Sequence, residues 1–147
     1  MFRKIISTAP TWVTVPVRLA LGIVMIAHGA QKVFGYWGGK GFNAFIQNEP
    51  PFAFMRPGWL WMGAAALTEL VGGLLVLGGL LTRVGAFFIA IVMLVAMLGV
   101  HWGAFFMGNR GIEFTVALLG MALALLIAGG GQASIDRLMM GPGGRRR

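Results

Sequence analysis

Six ionisable side chains sit inside otherwise apolar stretches of this chain: Arg18, His28, Lys32, Glu69, His101 and Glu113. Carboxylates and imidazoles transfer protons, and ammonium and imidazole groups donate hydrogen bonds to carbonyl oxygens. Such groups are costly in an apolar medium, so they face a protein interior or a wet cavity and mark candidate sites. Glu69, His101 and Glu113 are the candidates for proton transfer. His28, Lys32, His101, Glu69 and Arg18 are the candidates for holding a ligand. Two histidines on different helices also raise bis-histidine haem, which wants ligands at matched depth and a tailored pocket. His28, His101 and Glu113 follow no metal-motif spacing, so no metal is expected. The chain has no cysteine, which excludes disulfides, thiolate nucleophiles and cysteine-held iron–sulfur clusters. Any redox role needs a borrowed cofactor or a diffusible quinone.

Helical spacing assigns these groups to faces. At about 100° per residue, Arg18 and Lys32 differ by about 40°, and His28 and Lys32 are i, i+4 neighbours. Gly22, Met25 and Gly29 share that stripe. Arg83 and His101 are five turns apart and align. Glu113 lines up with Ala117, Gly120 and Ala124, a seam expected to pack closely. Glu69 is flanked by Ala65, Ala66, Gly72 and Gly73. At about 1.5 Å per residue, Arg18 lies roughly 8 Å, Glu69 roughly 18 Å, His28 roughly 22 Å and His101 roughly 27 Å above the inner ends of their spans. A polar cavity opening at the far end, beneath a long loop, is expected. Structural roles compete with chemistry: Arg18 and Glu69 as a buried ion pair fixing register, and Arg83 as a span-end anchor.

The elements that carry these groups follow from composition. The chain has 147 residues, of which 58% are hydrophobic and 11% charged. A typical soluble domain has about 25% charged residues. Mean hydropathy is +0.83, which points to lipid as the solvent. A spanning helix takes about 20 apolar residues, and four fit: 12–34, 59–81, 84–106 and 111–128. The expectation is an all-α bundle of four transmembrane helices in a single domain, 1–147. The start resembles a signal peptide, but Arg18 within the apolar run and three later spans favour a retained helix. The segment 35–58 is the longest loop. It carries FNAFIQ, which reads as a short interfacial helix, and aromatic residues suited to headgroups, and its length suits a lid. Thr82-Arg83 reads as a tight turn, 107–110 as another, and 141–147 as a flexible basic tail.

The net charge of +8 resides mostly near span ends and in the tail. This is the pattern of orientation signals rather than of nucleic-acid binding, which is not expected. Arg3, Lys4, Arg83, Arg137, Arg145, Arg146 and Arg147 fall on one side, against Lys32, Lys40, Arg56 and Arg110 on the other. Seven against four makes the first side, with both chain ends, cytoplasmic, and the long loop extracytoplasmic. The RRR tail also suits contact with anionic lipid.

Five pieces taken in order are RLALGIVMIAHGAQKVFG, ELVGGLLVLGGLLTR, HWGAFF, Glu113 at the opening of the fourth span, and GGGQASID. Together, over 18–136, they resemble the DoxX family of small bacterial membrane proteins. That family's end motif commonly reads GxGxxSLD, with Ile135 here in place of Leu. The resemblance implies a four-helix membrane bundle in the bacterial inner membrane. It marks Arg18, Gly29, Lys32, Glu69, Arg83, His101, Glu113, Ser134 and Asp136 as family-like positions. The family takes its name from a subunit of an archaeal thiosulfate:quinone oxidoreductase, and relatives are linked to redox stress and to quinone or catechol detoxification. The expected function is binding of a quinone or similar amphiphile in the outward cavity, with electrons supplied by a partner oxidoreductase subunit. A non-enzymatic scaffold or assembly subunit is the first alternative. A small proton-coupled transporter acting as a dimer is the second, and a homo-oligomer is among the candidate partners.

Overall fold

A computed structural model describes residues 5–141. Among them there is no strand. The basic residues Arg3, Lys4 and Arg145–Arg147, and the tail expected beyond Gly141, lie outside the described residues. Helix α1 is Thr14–Phe34, a one-turn α2 is Phe42–Phe45, α3 is Gly58–Gly78, α4 is Thr82–Gly99, α5 is Glu113–Ala128 and α6 is Ile135–Met140. Helices α1, α3 and α4 are long and apolar enough to cross a membrane. Helix α5 has 16 residues, about 24 Å of rise, and completes the bundle.

The helix ends follow the backbone chemistry of their residues. Helix α1 stops at Gly35, which takes the left-handed conformation at φ 75° and needs no side chain there. The one-turn α2 occupies the FNAFIQ segment of the long loop. Helix α3 widens into a π turn over Thr68–Gly72 before resuming. Such turns are frequent at functional sites. The tight turn between α3 and α4 falls on Gly79–Leu81 rather than on Thr82-Arg83, which already belong to α4.

Two sequence expectations fail here. The third span ends at Gly99, not at 106. Beyond it Gly103 adopts φ 125°, and Ile112 and Glu113 bond back to the carbonyls of Ala104 and Phe105, which folds 104–113 into a loop. The apolar residues that extended the span in the sequence, Trp102, Phe105 and Phe106, are 69%, 57% and 67% exposed. Aromatic residues of this kind suit a membrane interface rather than a helix core. The seam of Ala117, Gly120 and Ala124 also fails, since all three are exposed. Helix α5 instead buries Thr115, Leu118, Ala122 and Leu125.

The core between the four long helices contains Leu21, Met25, Val76, Ile89, Leu118 and Leu125. Helices α1 and α3 approach to backbone contact. A Cβ on Gly29 would lie 2.4 Å from the nitrogen of Leu70, and one on Gly73 would lie 2.8 Å from that of Ile26. Small residues permit this approach, which replaces hydrophobic driving force in lipid with dispersion contact. The outward faces stay apolar: Ile23, Leu74, Phe87 and Ile127 are all exposed. The first and last described segments meet at one end of the bundle, where Ala9 N–H donates to the carbonyl of Ala128 and Gln132 N–H to that of Thr11.

Candidate functional site

At the end of the bundle away from the first and last described segments, a cavity of about 840 Å³ lies between the four long helices and beneath the long loop. Its volume falls in the range of about 300–1,000 Å³ typical of small-molecule sites. Most of its wall is apolar, from Met25, Phe88, Ile91, Phe114 and Leu118 among others. Polar groups gather on the α1–α3 side. Lys32, in the last turn of α1, forms an ion pair and hydrogen bond with Glu69 Oε2 at the π turn of α3. The Lys32 side chain keeps 22% exposure while Glu69 keeps 7%. The Lys32 ammonium also lies 5.6 Å from the Phe45 ring centre, within reach of a cation–π contact.

His28, one turn below Lys32, lines the cavity with its ring 5.9 Å from that of Phe114. No hydrogen bond holds it among the described residues. His101 lines the cavity from the loop after α4, and its Nδ1 is 2.9 Å from the carbonyl oxygen of Arg110. The structure therefore places His28, Lys32, Glu69 and His101 on one cavity wall system. Chemically, the wall offers an ammonium with donors to spare, a carboxylate with acceptor capacity, and an imidazole able to donate or accept.

Two sequence candidates lie elsewhere. Glu113 is not on the cavity wall; its Oε1 accepts from Met107 N–H at 2.5 Å and so pins the preceding turn. Arg18 is at the opposite end of the bundle and does not pair with Glu69. Its guanidinium donates to four carbonyls: Nε to Val76 at 2.9 Å, Nη2 to Leu77 at 2.7 Å, and Nη1 to Gly130 at 2.9 Å and Ala133 at 2.6 Å. Val76 and Leu77 supply last-turn carbonyls of α3, where negative partial charge concentrates, and the Val76 carbonyl also accepts from Gly79 N–H at 3.1 Å. Nearby Asp136 accepts from the N–H groups of Leu81 and Thr82 and from the Thr82 hydroxyl, at 2.7, 2.9 and 2.7 Å. It thereby anchors the α3–α4 turn and the N-terminus of α4. Arg83 does anchor a helix end, donating to the carbonyls of Leu126 and Ile127 at 2.8 Å each.

Sequence reasoning missed several wall residues. Thr68, Phe88 and Ile91 line the cavity, and so do Phe45, Asn48 and Met55 from the long loop. The signal for the first group was the position of Thr68 beside Glu69. For the loop it was the run of aromatics, readable equally as headgroup anchors.

The DoxX family model matches residues 13–102. A Bacillus subtilis (strain 168) protein, "Putative oxidoreductase CatD", is 31% identical over 112 residues, covering 76% of this chain and 77% of that protein. No solved structure matches. The helical bundle, its apolar lipid-facing surface and the family match over most of the three long helices agree, and the chain belongs to the DoxX family.

Proposed function

We propose that this DoxX protein binds a quinone or a chemically similar amphiphile in the cavity and serves a redox system whose electron-transfer centre resides on a partner oxidoreductase. The observation that carries this reading is the Lys32–Glu69 pair set into a largely apolar chamber. A quinone ring fits such a chamber, and its carbonyl oxygens accept hydrogen bonds from an ammonium or imidazole. The Lys32 ammonium holds one carbonyl oxygen, with His28 or His101 donating to the other. Reduction to the quinol takes two electrons, from the partner's redox centre, and two protons, passed from the groups that donate to the two oxygens and replaced from water. Glu69 is placed to accept a hydrogen bond from the resulting hydroxyl and to exchange its proton. The oxidoreductase in the Bacillus relative's name supports the redox class. In this reading the sequence's Lys and Arg distribution orients the cavity away from the cytoplasm of a bacterial cell.

The test is titration of a benzoquinone into the purified protein in lipid nanodiscs, followed by intrinsic fluorescence, for the wild type, Lys32→Met and Glu69→Gln. Saturable binding that weakens about tenfold or more in both variants is expected, the scale of losing a charge-assisted hydrogen bond. Absence of saturable binding to the wild type overturns the reading.

A further inference from the structure

On the flank between α3 and α4, residues that line the cavity are themselves exposed on the outer surface. Within α3, the second half, Thr68–Gly78, packs on α4, while the first half, Gly58–Leu67, stands away from it. The pinch point is at Gly72 and Gly85. A Cβ on Gly72 would lie 3.1 Å from Ile89 Cγ1, and one on Gly85 would lie 3.1 Å from the carbonyl oxygen of Gly72. Above it the helices diverge. Trp61, Ala64 and Ala65 of α3 and Phe88, Ile91 and Val95 of α4 all line the cavity; with Gly72 set against Gly85 and Ile89, Ala65 lies level with Val95 and Glu69 level with Ile91. Trp61, Phe88 and Ile91 are 45%, 50% and 43% exposed. The mouth of the bundle is closed by the long loop: a Cβ on Gly99 would lie 2.5 Å from Pro51 and 3.0 Å from the Phe52 ring.

Depth decides what this gap meets. Ala65 is about 10 Å along α3 from its loop end, and Ile91 is about 13 Å along α4 from its other end. Both positions fall within a hydrocarbon layer of about 30 Å. Water is therefore excluded from the gap and acyl chains are its surroundings. Lys32 and His28 stand on α1 and Glu69 on α3, one turn beyond Ala65, so the polar groups lie at the inner end of the gap. A ligand spanning this arrangement needs a polar head at one end and a long apolar chain at the other.

We infer that the ligand is a membrane-dissolved amphiphile, a ring head bearing a long aliphatic tail, that enters from the bilayer between α3 and α4 and leaves its tail in that gap. This rests on the head-group site proposed above at Lys32 and Glu69. It adds the route and the tail subsite, built by Ala64, Ala65, Phe88 and Ile91. A water-soluble head without a tail uses the head site alone.

The experiment plugs the gap from either side. Wild type, Ala64→Trp and Ile91→Trp, as full chains in nanodiscs of one defined lipid, are titrated with two probes. One is a benzoquinone with a ten-carbon alkyl tail, and the other is the same ring without the tail. Comparing variants in the same lipid cancels the partition of the tailed probe into the bilayer. In both plugged variants the tailed probe is expected to bind about tenfold more weakly, while the tail-less probe stays within about twofold of wild type. Should one plug fail to give monodisperse protein with wild-type helical content, the other, from the opposite helix, carries the test. Unchanged binding of the tailed probe in a well-folded plugged variant overturns the inference, as does an equal loss of both probes. Those outcomes leave the head site standing. Failure of the wild type to bind either probe removes the head site, and the tail subsite with it.

Discussion

The bundle contains two polar clusters at opposite ends, and they differ in how completely their hydrogen bonds are satisfied. In the cluster near the first and last described segments, Arg18 uses all three nitrogens on four carbonyls and Asp136 uses both oxygens on three donors. Around them Thr14 donates to Gly130 and Ser134 to Gly131. In the cavity cluster, Lys32 makes one hydrogen bond, Glu69 accepts that same one, and His28 makes none among the described residues. A saturated buried network fixes geometry, whereas an unsaturated one retains capacity for a ligand. The difference separates a staple from a site, although both consist of ionisable residues that the sequence places inside apolar runs.

The strongest way to break this comparison is at the staple. Arg18→Met removes donors from four carbonyls; Val76 keeps the Gly79 N–H and Gly130 keeps the Thr14 hydroxyl, while Leu77 and Ala133 are left unpaired at about 1–3 kcal/mol each. Loss of about 2–6 kcal/mol in unfolding free energy is expected, measured by reversible denaturation in mixed micelles. A loss under about 1 kcal/mol contradicts the structural role. Any Arg18→Met protein that does fold binds quinone like wild type, because the side chain is remote from the cavity.

A smaller loss is expected where α1 and α3 touch. Gly29→Ala puts a Cβ 2.4 Å from the backbone nitrogen of Leu70, and no rotamer change relieves a clash with backbone. Overpacking of this kind costs about 1–3 kcal/mol. Because Gly29 is one turn from Lys32, separating the helices here also loosens the Lys32–Glu69 pair. Quinone affinity and stability therefore fall together, unlike at Arg18.

Removing the cavity pair tests the other half of the comparison. Replacing both partners of a buried ion pair with apolar residues is often neutral or stabilising, by up to about 1–4 kcal/mol. Lys32→Met with Glu69→Leu is thus expected to unfold no more easily than wild type, while losing saturable quinone binding. A double variant destabilised by more than about 2 kcal/mol would place this pair with the staple.

The pairing itself shows what sequence could and could not provide. The face of α1 was readable, with Arg18, His28 and Lys32 on one side as their spacing requires, whereas that of α5 was not, since Ala117, Gly120 and Ala124 are exposed. Relative depth was not readable either. Aligning 12 with 81 as matching span ends sets Glu69 between Arg18 and the outer groups, and suggests an Arg18–Glu69 pair. The observed contacts set Gly22 beside Leu77 and Gly29 beside Leu70, which places 18 opposite 81. The six-residue difference is about 9 Å of rise. It arises because the first turns of α1 extend past the end of α3, into the loop around Gly130 and Gly131. Apolar runs locate helices in lipid, but they do not state how far one helix overhangs another. The same limit hid the end of α4, where interfacial aromatics continue the run past Gly99. The GGGQASID motif was legible as a family marker. Its role in binding the α3–α4 turn required the fold, since Asp136 and Thr82 are 54 positions apart.

The smallest effect is expected at His101, which belongs to neither class. It stands on the cavity wall, yet its Nδ1 is 2.9 Å from the Arg110 carbonyl and its surroundings are loop rather than helix. The Nε2 edge is the part left to meet a ligand. A single neutral hydrogen bond at a half-buried position contributes about 0.5–1.5 kcal/mol. His101→Ala is therefore expected to weaken benzoquinone binding about threefold and to change unfolding free energy by less than about 1 kcal/mol. A loss as large as that in Glu69→Gln would make His101 a principal head-group ligand, with Lys32 and Glu69 holding the opposite edge of the ring. Unchanged affinity would confine His101 to the loop and leave His28 as the imidazole that meets the second oxygen.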